Sequence, residues 1–373
     1  MLEKILKTST IVCLTGLAAW GCSSREDKLG DLNQYITFTH PVVVQMSQEA
    51  SGSEKRKFAD FNGDGLEDMG EVTDEKLFGQ DYQLRVFPGY MNDDNLLTFG
   101  SNTFELKIPL KKRFASSATK IDSGEVNGDG YADIIFTRFV QKWGDDEYHA
   151  EIALNNADGT FTYATSSVRD ISTLSEDYKA NEMVRLSLAL SFLAQRNYAM
   201  YGYYSSDSIS SYLMLDWADA NGDGKDDLYV FWRTSDSDLL TTVFPVEEIS
   251  NGQIYFGRPS TSMLESFMHD RFMRHVDTED YDGDGIADIC IYEPDGDELE
   301  LSLALGSFDN SQVRYQPQKD VRVKDTDLDF WTTLEKYDSF DGDDDGRADV
   351  VHIGKLDGER VLSYNFTRPF DEE

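Results

Sequence analysis

Short apolar runs, each entered from an aspartate, punctuate this chain: Asp133-Ile134-Ile135-Phe136, Asp227-Leu228-Tyr229-Val230-Phe231, Asp288-Ile289-Cys290-Ile291-Tyr292 and Asp349-Val350-Val351-His352-Ile353. Runs this short, rich in β-branched and aromatic residues and bounded by turn residues, predict buried strands. Further strand patterns lie between them: Tyr35 to Met46, Ile152 to Phe161 folded about Asp158-Gly159, and Leu299 to Leu305 alternating into a turn at Asp309-Asn310. An Asp-Gly pair between two such segments is a hairpin signal. The pattern predicts an all-β chain.

The polar stretch before each run has an order of its own. In Asp280-Tyr281-Asp282-Gly283-Asp284-Gly285-Ile286-Ala287-Asp288, carboxylates stand at positions 1, 3, 5 and 9 and glycine at position 6. The same order returns as Asp60/Asn62/Asp64/Gly65/Asp68, Glu125/Asn127/Asp129/Gly130/Asp133, Asp219/Asn221/Asp223/Gly224/Asp227 and Asp341/Asp343/Asp345/Gly346/Asp349. Short acidic side chains on alternate residues of a sharply turned backbone converge on one point, as a Ca²⁺ ion with six to eight oxygen ligands requires. Position 7 coordinates through its backbone carbonyl in such loops, so its side chain is free to vary. It does: Leu66, Tyr131, Lys225, Ile286 and Arg347. A helix-flanked calcium loop would carry a bidentate glutamate at position 12. Only Glu71 supplies one, against Phe136, Val230, Ile291 and His352 elsewhere, so these loops lead into a sheet.

First positions fall at 60, 125, 219, 280 and 341, giving intervals of 65, 94, 61 and 61 residues. A unit of about sixty residues with several short strands suits a propeller blade. Whole units repeat as well as loops: Val86-Phe87-Pro88 is followed by Phe99-Gly100 at the same distance as Val243-Phe244-Pro245 is by Phe256-Gly257. The expectation is five four-stranded blades, with a degenerate sixth as the competing reading because one interval is long. The excess lies near 173–204. Thr173 and Glu176 form a capping-box pattern for a helix, whereas Val184, Leu186, Leu188, Leu190 and Phe192 alternate as a strand does; the helical insertion is preferred.

The motif Asp-x-Asn-x-Asp-Gly-x-x-Asp followed by an apolar strand resembles the FG-GAP repeat of integrin α-subunit propellers and bacterial secreted proteins, over nearly all of 55–365. That resemblance implies a Ca²⁺ loop in a hairpin between two blade strands, with ligands from positions 1, 3, 5 and 9. Loop two departs from it by opening with Glu125. Counting carboxylates at the ligand positions ranks loops four and five tightest and loop two weakest.

The formal net charge is −36 over 373 residues, which argues against nucleic acid or an anionic membrane surface as a partner. At the amino end, Lys4 and Lys7 precede an apolar run from Ile11 to Trp20 and then Gly21-Cys22, the pattern of an export signal. The cysteine after a small residue resembles a bacterial lipoprotein signal, with Cys22 as the lipidated residue; an ordinary cleaved signal is the alternative. The expected organisation is a signal over 1–22, a polar tether over 23–34 and a propeller over 35–373, placed in the cell envelope with the membrane reached only through the lipid. Cys290, inside an apolar strand, reads as a buried small hydrophobe.

His40, His149, His269, His275 and His352 are scattered without paired-ligand spacing, and no nucleophile elbow or phosphate-binding glycine loop is present. The expected function is a calcium-stabilised binding module for a protein or glycan. The alternative is a polysaccharide-active enzyme working on the propeller face, which clustered Arg, Lys, His and Tyr on that face would favour.

Overall fold

The computed structural model describes residues 36–39, 42–45, 56–74, 81–100, 103–109, 119–142, 145–167, 213–233, 239–257, 259–264, 276–295, 298–309, 312–318, 321–324, 337–356 and 359–369. All lie in the compact unit Gln34–Glu373. The expected signal, tether and helical insertion (1–22, 23–34 and 173–204) fall outside the described residues.

The strands form a five-bladed propeller of small antiparallel sheets. Blade one contains β3 (Arg56–Ala59), β4 (Asp68–Asp74), β5 (Asp81–Phe87) and β8 (Phe104–Pro109). Blade two contains β9 (Thr119–Gly124), β10 (Asp133–Lys142), β11 (Asp145–Asn155) and β12 (Phe161–Ser167). Blade three is β13 (Leu213–Ala218), β14 (Asp227–Arg233), β15 (Leu239–Phe244) and β18 (Ser260–Leu264). Blade four is β19 (Val276–Glu279), β20 (Asp288–Asp295), β21 (Glu298–Asp309) and β22 (Gln312–Pro317), with β23 (Val321–Lys324) pairing the first part of β21. Blade five takes β24 (Tyr337–Phe340), β25 (Asp349–Leu356) and β26 (Glu359–Asn365), and its outer strand is β2 (Val42–Gln45) from the other end of the chain.

That last pairing closes the ring, because β2 covers an edge that β26 would otherwise leave unpaired. A second junction of the two ends joins β1 (Ile36–Phe38) to β27 (Thr367–Pro369). The innermost strands β3, β9, β13, β19 and β24 neighbour one another in that order, and β24 returns to β3.

In four of the five blades the strand that follows the acidic loop (β10, β14, β20 and β25) is apolar on both faces because a blade is sandwiched between two others; β4, with Gly70 and Glu71, is the exception. On β10, Ile135 packs toward blade three and Ile134 and Phe136 toward blade one. Five apolar clusters result, one per seam. The seam between blades four and five adds a buried hydroxyl network: Tyr281 Oη and Tyr292 Oη lie 2.7 Å apart, Ser339 bonds both, and Tyr292 donates to Asp277 at 3.1 Å. Cys290 is buried beside them with a free thiol, so the sequence reading of that cysteine stands.

The matched segments of units one and three become matched hairpins, β6 (Gly89–Met91) with β7 (Leu97–Phe99) and β16 (Val246–Ser250) with β17 (Gln253–Phe256). Gly100 N–H bonds Pro88 O at 2.9 Å, and Gly257 N–H bonds Pro245 O at 2.7 Å. Each hairpin leans back on the preceding blade: Leu97 and Phe99 pack with Phe340 and Tyr364, and Ile254 and Phe256 pack with Ile152 and Leu154.

Candidate functional site

All five acidic loops occupy the same place, the connection between the first and second strands of a blade, so position 9 opens the second strand every time. Within each loop the side chains are already held by backbone N–H groups. Asp60 accepts from Gly63 at 2.6 Å and Gly65 at 2.7 Å; Asp219 and Asp280 do the same with Gly222 and Gly224, and with Gly283 and Gly285. Position 5 (Asp64, Asp129, Asp223, Asp284 and Asp345) is exposed and accepts from position 7 in all five, at 2.9–3.1 Å for Leu66, Tyr131, Lys225, Ile286 and Arg347. Glycine at position 6 has φ between +78° and +88° in every loop. A side chain there would be strained even though open space surrounds it.

Position 9 does more than the sequence showed. Asp68, Asp133, Asp227, Asp288 and Asp349 are completely buried. One oxygen accepts from position 2 (Phe61, Val126, Ala220, Tyr281 and Gly342, 2.9–3.3 Å). The other accepts from a backbone N–H in the later part of the third strand (Asn155 and Gly306) or two residues beyond its end (Gly89, Val246 and Thr367), at 2.6–2.8 Å. The carboxylate thus pins loop, second strand and third strand together. Burial pushes Asp68 and Asp227 up to about 7 and Asp133 and Asp349 to about 8, although these N–H bonds pull the other way.

The loops are also linked to one another. The position 8 N–H of each of four loops bonds the position 1 carbonyl of the loop before: Ala132 to Asp60, Asp226 to Glu125, Ala287 to Asp219 and Ala348 to Asp280, at 2.6–2.7 Å. Position 7 side chains lie over the position 4 glycine of the preceding loop, Tyr131 on Gly63, Lys225 on Gly128, Ile286 on Gly222 and Arg347 on Gly283. Their variation is therefore that of an inter-loop contact and not of an idle side chain.

Metal-ligating potential differs between loops. Carboxylate oxygens of Asp280, Asp282 and Asp288, and of Asp341, Asp343 and Asp345, converge within 4.8 Å, an all-oxygen donor set suited to a hard cation. The convergence expected of every loop is met by three carboxylates only in these two among the described residues. In loops one and three the amide of Asn62 or Asn221 donates to the buried aspartate at 3.1 or 3.0 Å, and in loops one and two Asn62 or Asn127 donates to position 5 at 3.0 Å. Loop three places a cation beside one of its acids. Asp223, expected beside Asp219 and Asp227 as a ligand, joins no such set; its Oδ2 instead lies 3.5 Å from Lys225 Nζ. A lysine two residues on brings its own cation to that carboxylate, in a surface pair of small energy. Glu125 reaches Gly128 at 2.7 Å, but its Oε2 is buried with no hydrogen-bond partner. Loop five has an occupant of its own: Arg368, on β27, bonds Asp343 and lies 3.0 Å from Asp345 Oδ2.

Beside the loops, on the propeller axis, is a cavity of about 380 Å³ whose wall includes Phe58, Glu67, Trp217, Asp226, Glu279 and Phe340. Besides the position 1 acids Asp60, Glu125, Asp219 and Asp280, the wall holds three acids that sequence reasoning missed, Glu67, Asp226 and Glu279. Glu67 and Asp226 stand at position 8, where the other loops have Ala132, Ala287 and Ala348; Glu279 stands just before position 1, where the others have Ala59, Gly124, Ala218 and Phe340. Acids where the repeat puts small or apolar residues were the available signal. Burial pushes Glu67 up to about 8, and it raises Asp226 and Glu279 well above the usual carboxylate range. The charges that act on Glu279 are carboxylates, Asp226 and Glu67 among them.

Neither family models nor curated proteins match this chain.

Deeper on the same inner strands, Lys57, Asp122, Asp216, Asp277 and Asp338 share one repeat position. Burial alone would lower the Lys57 ammonium; its ion pair with Asp122, aided by Asp338 and Asp216, outweighs that and holds it above the usual lysine range. Of the histidines, His352 is buried on β25 and His149 lies on β11, apart in the fold. His40, His269 and His275 fall outside the described residues.

Proposed function

We propose that this chain is a calcium-stabilised binding module of the FG-GAP type, exported and anchored in the cell envelope through a lipid on Cys22. The observation that carries the reading is the ring of five acidic loops, each in the same inter-strand turn and joined to its neighbour through a position 8 to position 1 hydrogen bond at four of the five steps. Up to five Ca²⁺ ions would be held by Asp60, Asn62, Asp64 and Asp68 in the first loop and by the matching positions in the other four, with the carbonyls of Leu66, Tyr131, Lys225, Ile286 and Arg347. In loop three, Asp223 would have to exchange its lysine partner for the ion. Bound calcium would neutralise the crowded carboxylates, and because the ligands are scattered in the unfolded chain its binding free energy adds to folding. The loops' rigidity leaves the rest of the surface to the ligand, a protein or a glycan.

The aromatic rings of Phe58, Trp217 and Phe340 in the wall of the axial cavity favour a binding role. Among the described residues its wall carries acids and aromatics, and none of the Arg, Lys, His or Tyr that would favour a polysaccharide-active enzyme.

Each site occupied at a hundred times its dissociation constant adds about 2.7 kcal/mol. Millimolar Ca²⁺ should therefore raise the melting temperature by at least several degrees, and chelator should reverse it. An unchanged melt after verified metal removal defeats the calcium reading. A screen of the calcium-loaded chain against glycans and envelope proteins then identifies the ligand class.

A further inference from the structure

We propose that Arg368 is a built-in competitor for the cation of loop five, so that Ca²⁺ entering that loop loosens the junction of the two chain ends; this rests on the calcium reading and adds a switch to it. Next after the residue whose N–H meets position 9 stand Tyr90, Asn156, Glu247 and Ser307 in blades one to four, and Arg368 in blade five. Only the fifth brings a positive charge. Its guanidinium bonds the Asp343 carboxylate, donates to Asp345 Oδ2 at 3.0 Å and to the Thr367 carbonyl at 2.7 Å, and lies over the Phe366 ring.

Loop five also keeps what an ion needs. Oxygens of Asp341, Asp343 and Asp345 lie within 4.8 Å of one another, and Asp343 Oδ1 is buried with no hydrogen-bond partner while Oδ2 goes to Arg368. A buried acceptor left unmet is costly, and a hard cation among oxygens satisfies it. Asp345 is the contested group. Its Oδ1 takes the Arg347 N–H at 3.1 Å, so Oδ2 is the oxygen left for an ion, and Arg368 holds it with Arg347 Nη1 3.5 Å away. In loops one to three the same oxygen meets a partner from its own loop, the Asn62 or Asn127 amide or Lys225 Nζ. Those partners move with their loop, whereas Arg368 belongs to another strand.

That strand couples the loop to the chain ends. β27 pairs with β1, Arg368 opposite Thr37 and Pro369 opposite Ile36. Thr367 stays fixed to loop five through Asp349 and the Ala348 carbonyl, so loss of the guanidinium contact frees the ribbon only from Arg368 outward. Ile36 and Phe38 remain buried in the seam between blades four and five, which keeps the loosening local. A divalent ion at sufficient concentration takes the shared oxygens, because two cations on one carboxylate repel. In sequence β1 follows the segment that leads from Cys22, so calcium would loosen the point at which an anchored chain enters the propeller.

The test is hydrogen exchange read by mass spectrometry on the full chain, in chelator and through a Ca²⁺ titration, with the melt recorded in parallel. We expect loop peptides to gain protection while β27 and β1 peptides lose it by about three- to tenfold, the reach of a partly exposed ion pair. Asp341→Asn removes a loop-five ligand that is not among the groups Arg368 bonds, so the loosening should vanish and β27 stay protected at every Ca²⁺ concentration. Arg368→Gln should exchange fast at β27 in chelator and ignore Ca²⁺ there. Protection of β27 and β1 that rises or stays constant with Ca²⁺ in the unaltered chain, loosening that persists in Asp341→Asn, or a calcium response kept at β27 in Arg368→Gln would each overturn the proposal. A melt that ignores Ca²⁺ removes the calcium reading and this switch with it; a melt that rises while β27 does not loosen removes the switch alone.

Discussion

Arg368 offers a direct way to separate charge count from geometry. Loops four and five each carry four carboxylates at ligand positions, so charge alone makes them equal. In loop five, however, the Arg368 guanidinium already bonds Asp343 and lies 3.0 Å from Asp345, and stacks 5.2 Å over the Phe366 ring. Two unit charges at about 4 Å and an effective dielectric near 20 attract by about 4 kcal/mol. Arg368 is 30 % exposed, and solvent screening reduces this to about 1–2 kcal/mol. A cation entering loop five must displace or share that arginine, which weakens binding by about tenfold or somewhat more. Arg368→Ala should therefore tighten one site by that factor while lowering the melting temperature of the metal-free chain. Calorimetric titration of Ca²⁺ reads the first effect, and the site that changes must be the one lost in Asp345→Ala. With Arg368 in place loop four is the tightest site, so among single variants Asp284→Ala should lose the most melting temperature at fixed Ca²⁺, with Asp129→Ala losing the least because of Glu125. If Arg368→Ala weakens Ca²⁺ binding instead, the arginine is supporting the site and the competition argument is wrong.

Other expectations follow from the buried aspartates and the amino end. Asp133→Asn puts an amide where two backbone N–H groups need acceptors; it should destabilise the chain by about 1–3 kcal/mol even in chelator, read by urea denaturation, and a loss seen only with Ca²⁺ present would show that position 9 acts solely as a ligand. The raised values of Asp68, Asp133, Asp227 and Asp349, about 7 to 8 against an ordinary 3.8, mean that the folded metal-free chain holds protons which the unfolded chain has released. Its stability should therefore fall as pH rises from about 4 to 8, while the gain from Ca²⁺, which needs the ionised forms, grows over the same window; melts in chelator and in Ca²⁺ at pH 5 and 8 test both signs. Cys22→Ser should release the protein from the membrane fraction or block its processing, and a variant that still matures and partitions with membranes rules out lipidation.

The loops, the strands after them and the number of blades were legible in the sequence because their signals are local. A ligand set spans nine residues, a strand about five, and both repeat in phase, so the pattern exposes the unit without any knowledge of packing. The matched Val-Phe-Pro and Phe-Gly segments were legible for the same reason, but that each closes a hairpin, with the glycine bonding back to the proline carbonyl, was decided by the fold. What only the tertiary structure decided involves residues far apart in the chain. Nothing near Val42 says that β2 will complete blade five, because that edge is created only when the fifth blade arrives. Position 9 looked like a ligand and nothing else; its second oxygen meets a backbone N–H 18 to 22 residues away. Position 7 looked free because its partner belongs to the preceding blade. Arg368 meets Asp343 across 25 residues, and Glu67, Asp226 and Glu279 converge because closing a five-bladed ring turns one end of every inner strand toward a common axis. Their charge was visible in the composition, but their half-buried place beside the loop carboxylates exists only where the fold brings the three to one cavity wall.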